Sequence, residues 1–148
     1  MKSILIASDH AGFPLKEILK IEAQGLGISF EDLGTSSEAS VDYPDYANIL
    51  SKRLIEIGAD QNLGVLICGS GVGISIAANR FPEIRAVLAE SEITARLARE
   101  HNHANVLCLG ARILGRDKAV SILKSFLSAV ENEDPRHLRR IQKLGERK

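Results

Sequence analysis

The chain has 148 residues, 45% of them apolar and 26% charged, with 19 basic against 19 acidic side chains. That length suits one domain with a full core, residues 1–148, and the even charge argues against disorder and against a polyanionic partner such as nucleic acid. No apolar run is long enough to cross a membrane, and Met1-Lys2-Ser3 has no signal-peptide pattern. The expected setting is the cytoplasm, with Cys68 and Cys108 as free thiols.

Residues 3–8 read as a buried strand, and residues 13–23 carry Leu15, Ile18, Leu19 and Ile21 near helical spacing. Residues 28–33 read as a second strand. Residues 44–57 read as a helix entered by Asp42-Tyr43-Pro44, since proline suits a first turn. The polar residues 35–40 between them read as a surface or lid-like loop. Residues 63–68 give a third strand, 72–80 a helix, 84–89 a fourth strand, 91–100 an amphipathic helix with Ser91 as N-cap, and 105–109 a fifth strand. A long helix over 116–131 and a shorter basic one over 135–143 follow, the last with no strand after it and free to project. Such alternation predicts a parallel sheet with helices on both faces, right-handed crossovers, and a ligand site at the carboxyl ends of the strands.

The segment Cys68-Gly69-Ser70-Gly71-Val72-Gly73 joins the third strand to its helix. Glycines at alternate positions allow a tight turn that aims successive N–H groups at one point, and the helix start adds partial positive charge there. That suits a phosphate or an oxyanion. A thiol in this field is a candidate base or nucleophile, the plainer alternative being a small buried residue beside a packing turn. The loop is not a dinucleotide fingerprint, because Ile74 stands where the last glycine of GxGxxG is needed, and no Walker lysine follows. Metal binding would need His10, His101 and His103 to converge with a carboxylate such as Asp9, and no metal-ligand spacing is present. Neither a metal nor a cofactor is expected; a small phosphorylated metabolite fits the loop best.

Asp9 and His10 end the first strand and belong on the same edge as Cys68. His101-Asn102-His103 ends a helix instead, and the sequence alone does not place it there. Each candidate also has a structural alternative. Asp9 would cap the following turn, His101 would sit at a helix end favoured by the dipole, and Tyr43 would pack at a helix start. Arg136, Arg139 and Arg140 would be a solvated helix face. His103 reads as a surface or supporting residue and Cys108 as core.

Taken together, Asp9-His10-Ala11-Gly12, Asp42-Tyr43-Pro44, the Cys68 to Ser75 loop, Ala77-Ala78-Asn79, His101-Asn102, Asn105-Val106-Leu107 and Arg136-His137 with Arg140 resemble the ribose-5-phosphate isomerase B family over nearly the whole chain. The resemblance implies a Rossmann-like three-layer αβα sandwich with a five-stranded parallel sheet and a projecting C-terminal helix. It implies metal-free interconversion of ribose 5-phosphate and ribulose 5-phosphate, in the non-oxidative pentose phosphate pathway. Six-carbon substrates, allose 6-phosphate or galactose 6-phosphate, are the alternative. A non-catalytic sugar-phosphate-binding module is disfavoured, because Cys68 and His101 are both present. The family assembles as homodimers or homotetramers with the active site at the subunit interface.

By motif position, the resemblance makes Cys68 the base that moves a proton between C1 and C2, and His101 the ring-opening acid assisted by Asp9. The N–H groups of Gly69, Ser70, Gly71, Val72 and Gly73, with the Ser70 hydroxyl, would stabilise the enediolate. His10, Arg112, Arg136 and Arg140 would bind phosphate, some of them from a partner subunit. Asn102 would bond a sugar hydroxyl, and Tyr43 would pack on the sugar. Three departures matter. A glutamate base in one subtype falls where Ile74 stands, which favours the cysteine mechanism; Ser70 replaces the common threonine; and Glu133-Asp134-Pro135 precede Arg136 where the family has two glycines, which bears on the aim of Arg136.

Overall fold

The computed structural model describes residues 3–146. Five strands, β1 (Ile4–Ser8), β2 (Phe30–Asp32), β3 (Leu63–Cys68), β4 (Ala86–Leu88) and β5 (Val106–Gly110), pair in parallel in the order β2-β1-β3-β5-β4. Between and after them run α1 (Phe13–Gly25), α2 (Tyr43–Glu56), α3 (Val72–Ala78), α4 (Glu92–Asn102), α5 (Arg116–Ser128) and α6 (Pro135–Leu144). The architecture is the expected Rossmann-like α/β fold.

Alternating side chains divide the core in two. Ile6, Val65, Ile67, Leu107 and Leu109 point to one face and pack under α1, α4 and α5. Leu5, Ala7, Leu66, Cys68, Val106 and Cys108 point to the other, under α2 and α3. The central β3 is buried along its whole length, so it carries no polar side chain before its end. The strand order turns back between β1 and β3, and their carboxyl ends form the crevice where such folds bind ligands.

Element boundaries differ from the sequence expectation where local chemistry intervenes. The strand expected over 28–33 shortens because Gly27 adopts φ +73° and the Ile28 N–H returns to the Ala23 carbonyl, closing the exit of α1. The helix expected to reach residue 80 ends earlier: the Asn79 side chain donates to the Ala86 carbonyl and accepts from the Ala86 N–H, pairing the edge of β4. The helix expected to run to residue 131 stops at Ser128, because Glu131 and Asn132 are held by α4. Ser91 caps α4 as expected, accepting from the Thr94 N–H.

Three positions reverse their expected exposure. Ile21 faces solvent at 68% exposure, while Lys16 is buried at 1%. Leu15, Lys16, Leu19 and Ala23 make the inner face of α1, and Ile21 falls outside that arc. The buried Lys16 ammonium donates to Asp32 Oδ1 and to the Thr35 carbonyl, both at 2.6 Å, and lies over the Phe13 ring. Thr35, expected at the surface, is buried because its N–H donates to the Ser8 carbonyl and its own carbonyl takes Lys16.

Burial pushes the Asp32 carboxyl up, but bonds from Lys16, Lys20 and the Gly34 N–H outweigh it, and the net shift is downward. A lowered folded-state value means that this carboxylate stabilises the fold above about pH 3.8, its ordinary value, and that the contribution fades as pH falls through the lowered one. The Asp32→Asn variant is expected to be less stable at neutral pH and to show a flatter decline below about pH 4 in denaturant titrations followed by circular dichroism.

Candidate active site

The carboxyl ends of β1, β3 and β5 frame an open cleft of about 660 Å³ that takes in Asp9, His10, Tyr43, Cys68, Ser70 and Arg112. β1 delivers Asp9 with 6% exposure; its N–H donates to the Ile67 carbonyl, and one carboxylate oxygen accepts from the Gly12 N–H at 2.9 Å. The cap expected as an alternative role for Asp9 is therefore real, and the residue faces the cleft as well. His10 follows, with Nδ1 held against Val41.

Cys68 ends β3 on the cleft floor, and the Gly71 N–H donates to its Sγ at 3.2 Å. That contact requires the left-handed turn at Gly71, φ +77°, which a side chain would strain. It also places a donor at the sulfur, where any negative charge on that atom is stabilised. Val72 N–H donates to Ser70 Oγ at 3.2 Å, so two of the five loop amides already have partners inside the loop. Tyr43, first residue of α2, packs against the loop: a Cβ on Gly73 would stand 2.5 Å from its ring. Beyond β5, the Arg112 N–H donates to the Gly69 carbonyl, and its guanidinium rests against Gly69. Ile76 and Ile113, which carry no signal in the sequence, complete the lining as exposed apolar groups at 51% and 58% exposure.

His101, Asn102, Arg136 and Arg140 are elsewhere. Each helix carries the chain back against the strand direction, so the C-terminal end of α4 lies at the amino edge of the sheet, opposite to Cys68. The Arg85 guanidinium, just before β4, donates to the His103 carbonyl, and Asn102 borders a separate cavity of about 420 Å³ with Arg85, Ala104 and Leu144. Within one chain the structure brings Cys68, Asp9, His10, Tyr43, Ser70 and Arg112 together. It does not bring the helical candidates to them.

Those candidates form their own group. The His101 and His137 rings stack at 4.5 Å with planes 9° apart, joining α4 to α6. His137 stands in the motif beside Arg136 with no role implied for it, and nothing in its sequence context announces the stack. Asp134 caps α6 through the Arg136 N–H and also grips the Arg136 guanidinium through both carboxylate oxygens at 3.1 Å. Arg136 beside it holds the Asp134 carboxyl down to about 2. The departure from the family pattern at Asp134 thus sets the aim of Arg136 in this chain.

The connector 129–134 is tied to α4 by side chains missed in the sequence. Arg99, 2% exposed, donates to the Ala104 carbonyl and pairs with Glu131 at 2.9 Å over the Phe126 ring. The Asn132 N–H donates to the Glu100 carbonyl, and His103 contacts the Asn132 carbonyl through Nε2 at 3.0 Å. His103 is thus a supporting residue, and its φ of +47° ends α4. An arginine on the apolar side of an otherwise amphipathic helix was the only available signal.

A family model described as Ribose/Galactose Isomerase matches residues 4–144. This chain belongs to the Ribose/Galactose Isomerase family. The Escherichia coli protein named ribose-5-phosphate isomerase B is 41% identical over 144 residues, 97% of this chain and 95% of that one. A ribose 5-phosphate isomerase structure from Thermotoga maritima superposes with TM-score 0.93 at 49% identity, covering 99% of both chains. The Mycoplasma genitalium ribose-5-phosphate isomerase B, whose structure holds ribulose 5-phosphate, gives TM-score 0.89 at 42% identity over 96% of this chain and 93% of that one.

Two measurements test this arrangement. Cys108 is fully buried, and burial, with Cys68 beside it, pushes its thiol up. Iodoacetamide is expected to label Cys68 well before Cys108 in the native protein, and Cys68→Ala to take up reagent only after unfolding, by mass spectrometry. Arg99→Met leaves the Ala104 carbonyl without its donor and Glu131 without its guanidinium partner, and is expected to lower stability by about 1–3 kcal/mol in urea titrations, with faster amide exchange in α6.

Proposed function

We propose that this protein interconverts ribose 5-phosphate and ribulose 5-phosphate, with Cys68 as the base. The supporting observation is the cleft itself: a thiol on its floor, amides and a hydroxyl beside it, and a carboxylate, an imidazole and a guanidinium around it. Membership of the family and the ribulose 5-phosphate held by the Mycoplasma genitalium relative support the substrate.

The chemistry gives each group one step. Opening the furanose takes a proton from the C1 hydroxyl and gives one to the ring oxygen, a transfer for His101 with Asp9. Cys68, as thiolate, then removes the C2 proton; the C2–H electron pair becomes the C1–C2 double bond, and the C1 carbonyl oxygen takes the charge. Loop donors stabilise that enediolate. The C2 hydroxyl gives up its proton to O1, the carbonyl forms at C2, and Cys68 returns its proton to C1. The substrate is isomerised, the thiolate is restored, and no electrons leave the pair of molecules. His10, Arg112, Arg136 and Arg140 hold the phosphate at the far end.

Because His101, Asn102 and α6 stand at the opposite edge from Cys68, the complete site needs two chains. We assign the helical half to a partner subunit in a homodimer or larger homo-oligomer. The exposed apolar residues around the cleft, Val72, Ile76 and Ile113, and those on α6, Leu138 and Leu144, fit such a contact. In a two-fold dimer each chain both gives and receives, so two sites form.

The deciding experiment measures ribulose 5-phosphate formation in the presence of a chelator for wild type, Cys68→Ala, His101→Ala and the two variants refolded together. Each variant alone is expected to be inactive. The mixture should recover about a quarter of wild-type activity, since half the dimers are mixed and each of those has one intact site. Turnover by Cys68→Ala would remove the base, an inactive mixture would remove the shared site, and wild-type turnover of allose 6-phosphate alone would change the substrate.

A further inference from the structure

His101 and His137 are both half-buried, and their rings stack at 4.5 Å with planes 9° apart. Among the described residues the hydrogen bonds of this region go to Arg99, His103 and the connector, and none reaches a ring nitrogen of either histidine. In a near-parallel stack the nitrogens lie at the rim, in the ring planes, so neither ring covers the other's N–H or lone pair. The contact therefore restrains the plane of His101 and leaves its proton-carrying atoms free. Without it, an imidazole on the last turn of a helix turns about two side-chain torsions.

The second ring comes from the helix to which the phosphate grip is assigned. His137 stands in the first turn of α6, directly after Arg136 and one turn before Arg140. α6 packs mainly on α4 and buries no side chain in its own chain, and the stack joins the two helices directly. We propose that His137 is a positioning residue for ring opening, clamping the His101 imidazole to the helix that carries Arg136 and Arg140. This role rests on the function proposed above, in which His101 opens the furanose. The hydroxyl that loses a proton and the ring oxygen that gains one are both attached to C1, so the imidazole must sit at one point relative to the phosphate. With Arg136, His137 and Arg140 on one helix, the element that finds the phosphate also carries the surface that sets the acid. Loss of the His137 ring would leave His101 chemically whole and unaimed, and a misplaced group of this kind costs rate rather than binding.

Deuterium wash-in separates ring opening from the later proton transfer. Ribulose 5-phosphate has its C5 oxygen esterified and so has no hydroxyl with which to close a furanose. In deuterium oxide, removal of a C1 proton by Cys68 and return of a deuteron labels this ketose with no ring opened or closed. For the full-length protein, His137→Ala is expected to lower kcat on ribose 5-phosphate about tenfold with KM little changed, while C1 exchange of ribulose 5-phosphate keeps its wild-type rate. His101→Ala should show the same split more deeply, and His137→Phe, which restores a ring face, should recover most of the loss. In proton NMR the His101 ring signals should lose their upfield shift in His137→Ala and keep it in His137→Phe. Unchanged turnover in His137→Ala overturns the proposal. An equal fall in turnover and exchange does so too, since His137 would then only prop α6. A folded His137→Phe as slow as the alanine variant also overturns it, because His137 would then carry a proton or bind phosphate itself. Wild type inert toward ribose 5-phosphate would remove the function proposed above and this role with it, an outcome read before any variant is made.

Discussion

Five strands that all point one way impose a strict division on everything attached to them. Each connection must bring the chain back to the starting edge, so residues at strand ends gather on one side and residues at helix ends on the other. Asp9, Cys68 and Arg112 belong to the first group; His101, Asn102 and His103 belong to the second. The buried, fully apolar β3 fixes the geometry of both, since β1 and β5 pair along its two sides in an unbroken register. No adjustment of a loop can carry the end of α4 along the length of those strands to the opposite edge. The proposed chemistry, which uses both groups, is for that reason assigned to two molecules.

Periodicity and turn residues carried most of the architecture. β3 begins and ends where its apolar run does, and α4 starts at the serine that caps it. What pattern reading missed was decided by individual polar atoms acting at long range. Lys16 goes inward because Asp32 and the Thr35 carbonyl, 16 and 19 residues away, are waiting for its ammonium. α5 stops early because Arg99 claims Glu131. No window of neighbouring residues contains either fact.

The site was legible by halves for the same reason. The strand-end residues and the glycine loop have local signatures, and they converge as the alternation of elements requires. The helical candidates were identifiable by motif alone, and those on α6, Arg136 and Arg140, depend on a connector whose anchors, Arg99, His103, Glu131 and Asn132, have no pattern of their own. The stack of His137 on His101 belongs to this class as well. Side-chain identity was visible in the sequence, while the pairing of side chains was not.

The connector between α5 and α6 has one more implication. In the proposed assembly the reacting carbons sit over Cys68, on the rigid end of a central strand, while the phosphate is gripped in part by Arg136 and Arg140 on a helix whose placement the connector decides. The span between these points is a ruler for the carbon chain of the sugar, and its two ends belong to different molecules. Insertions or exchanges over residues 129–134 would lengthen or shorten the ruler without disturbing a single atom at the thiol. A lineage that needs a longer or shorter sugar can then drift to it through a surface segment, with the proton-transfer apparatus inherited intact.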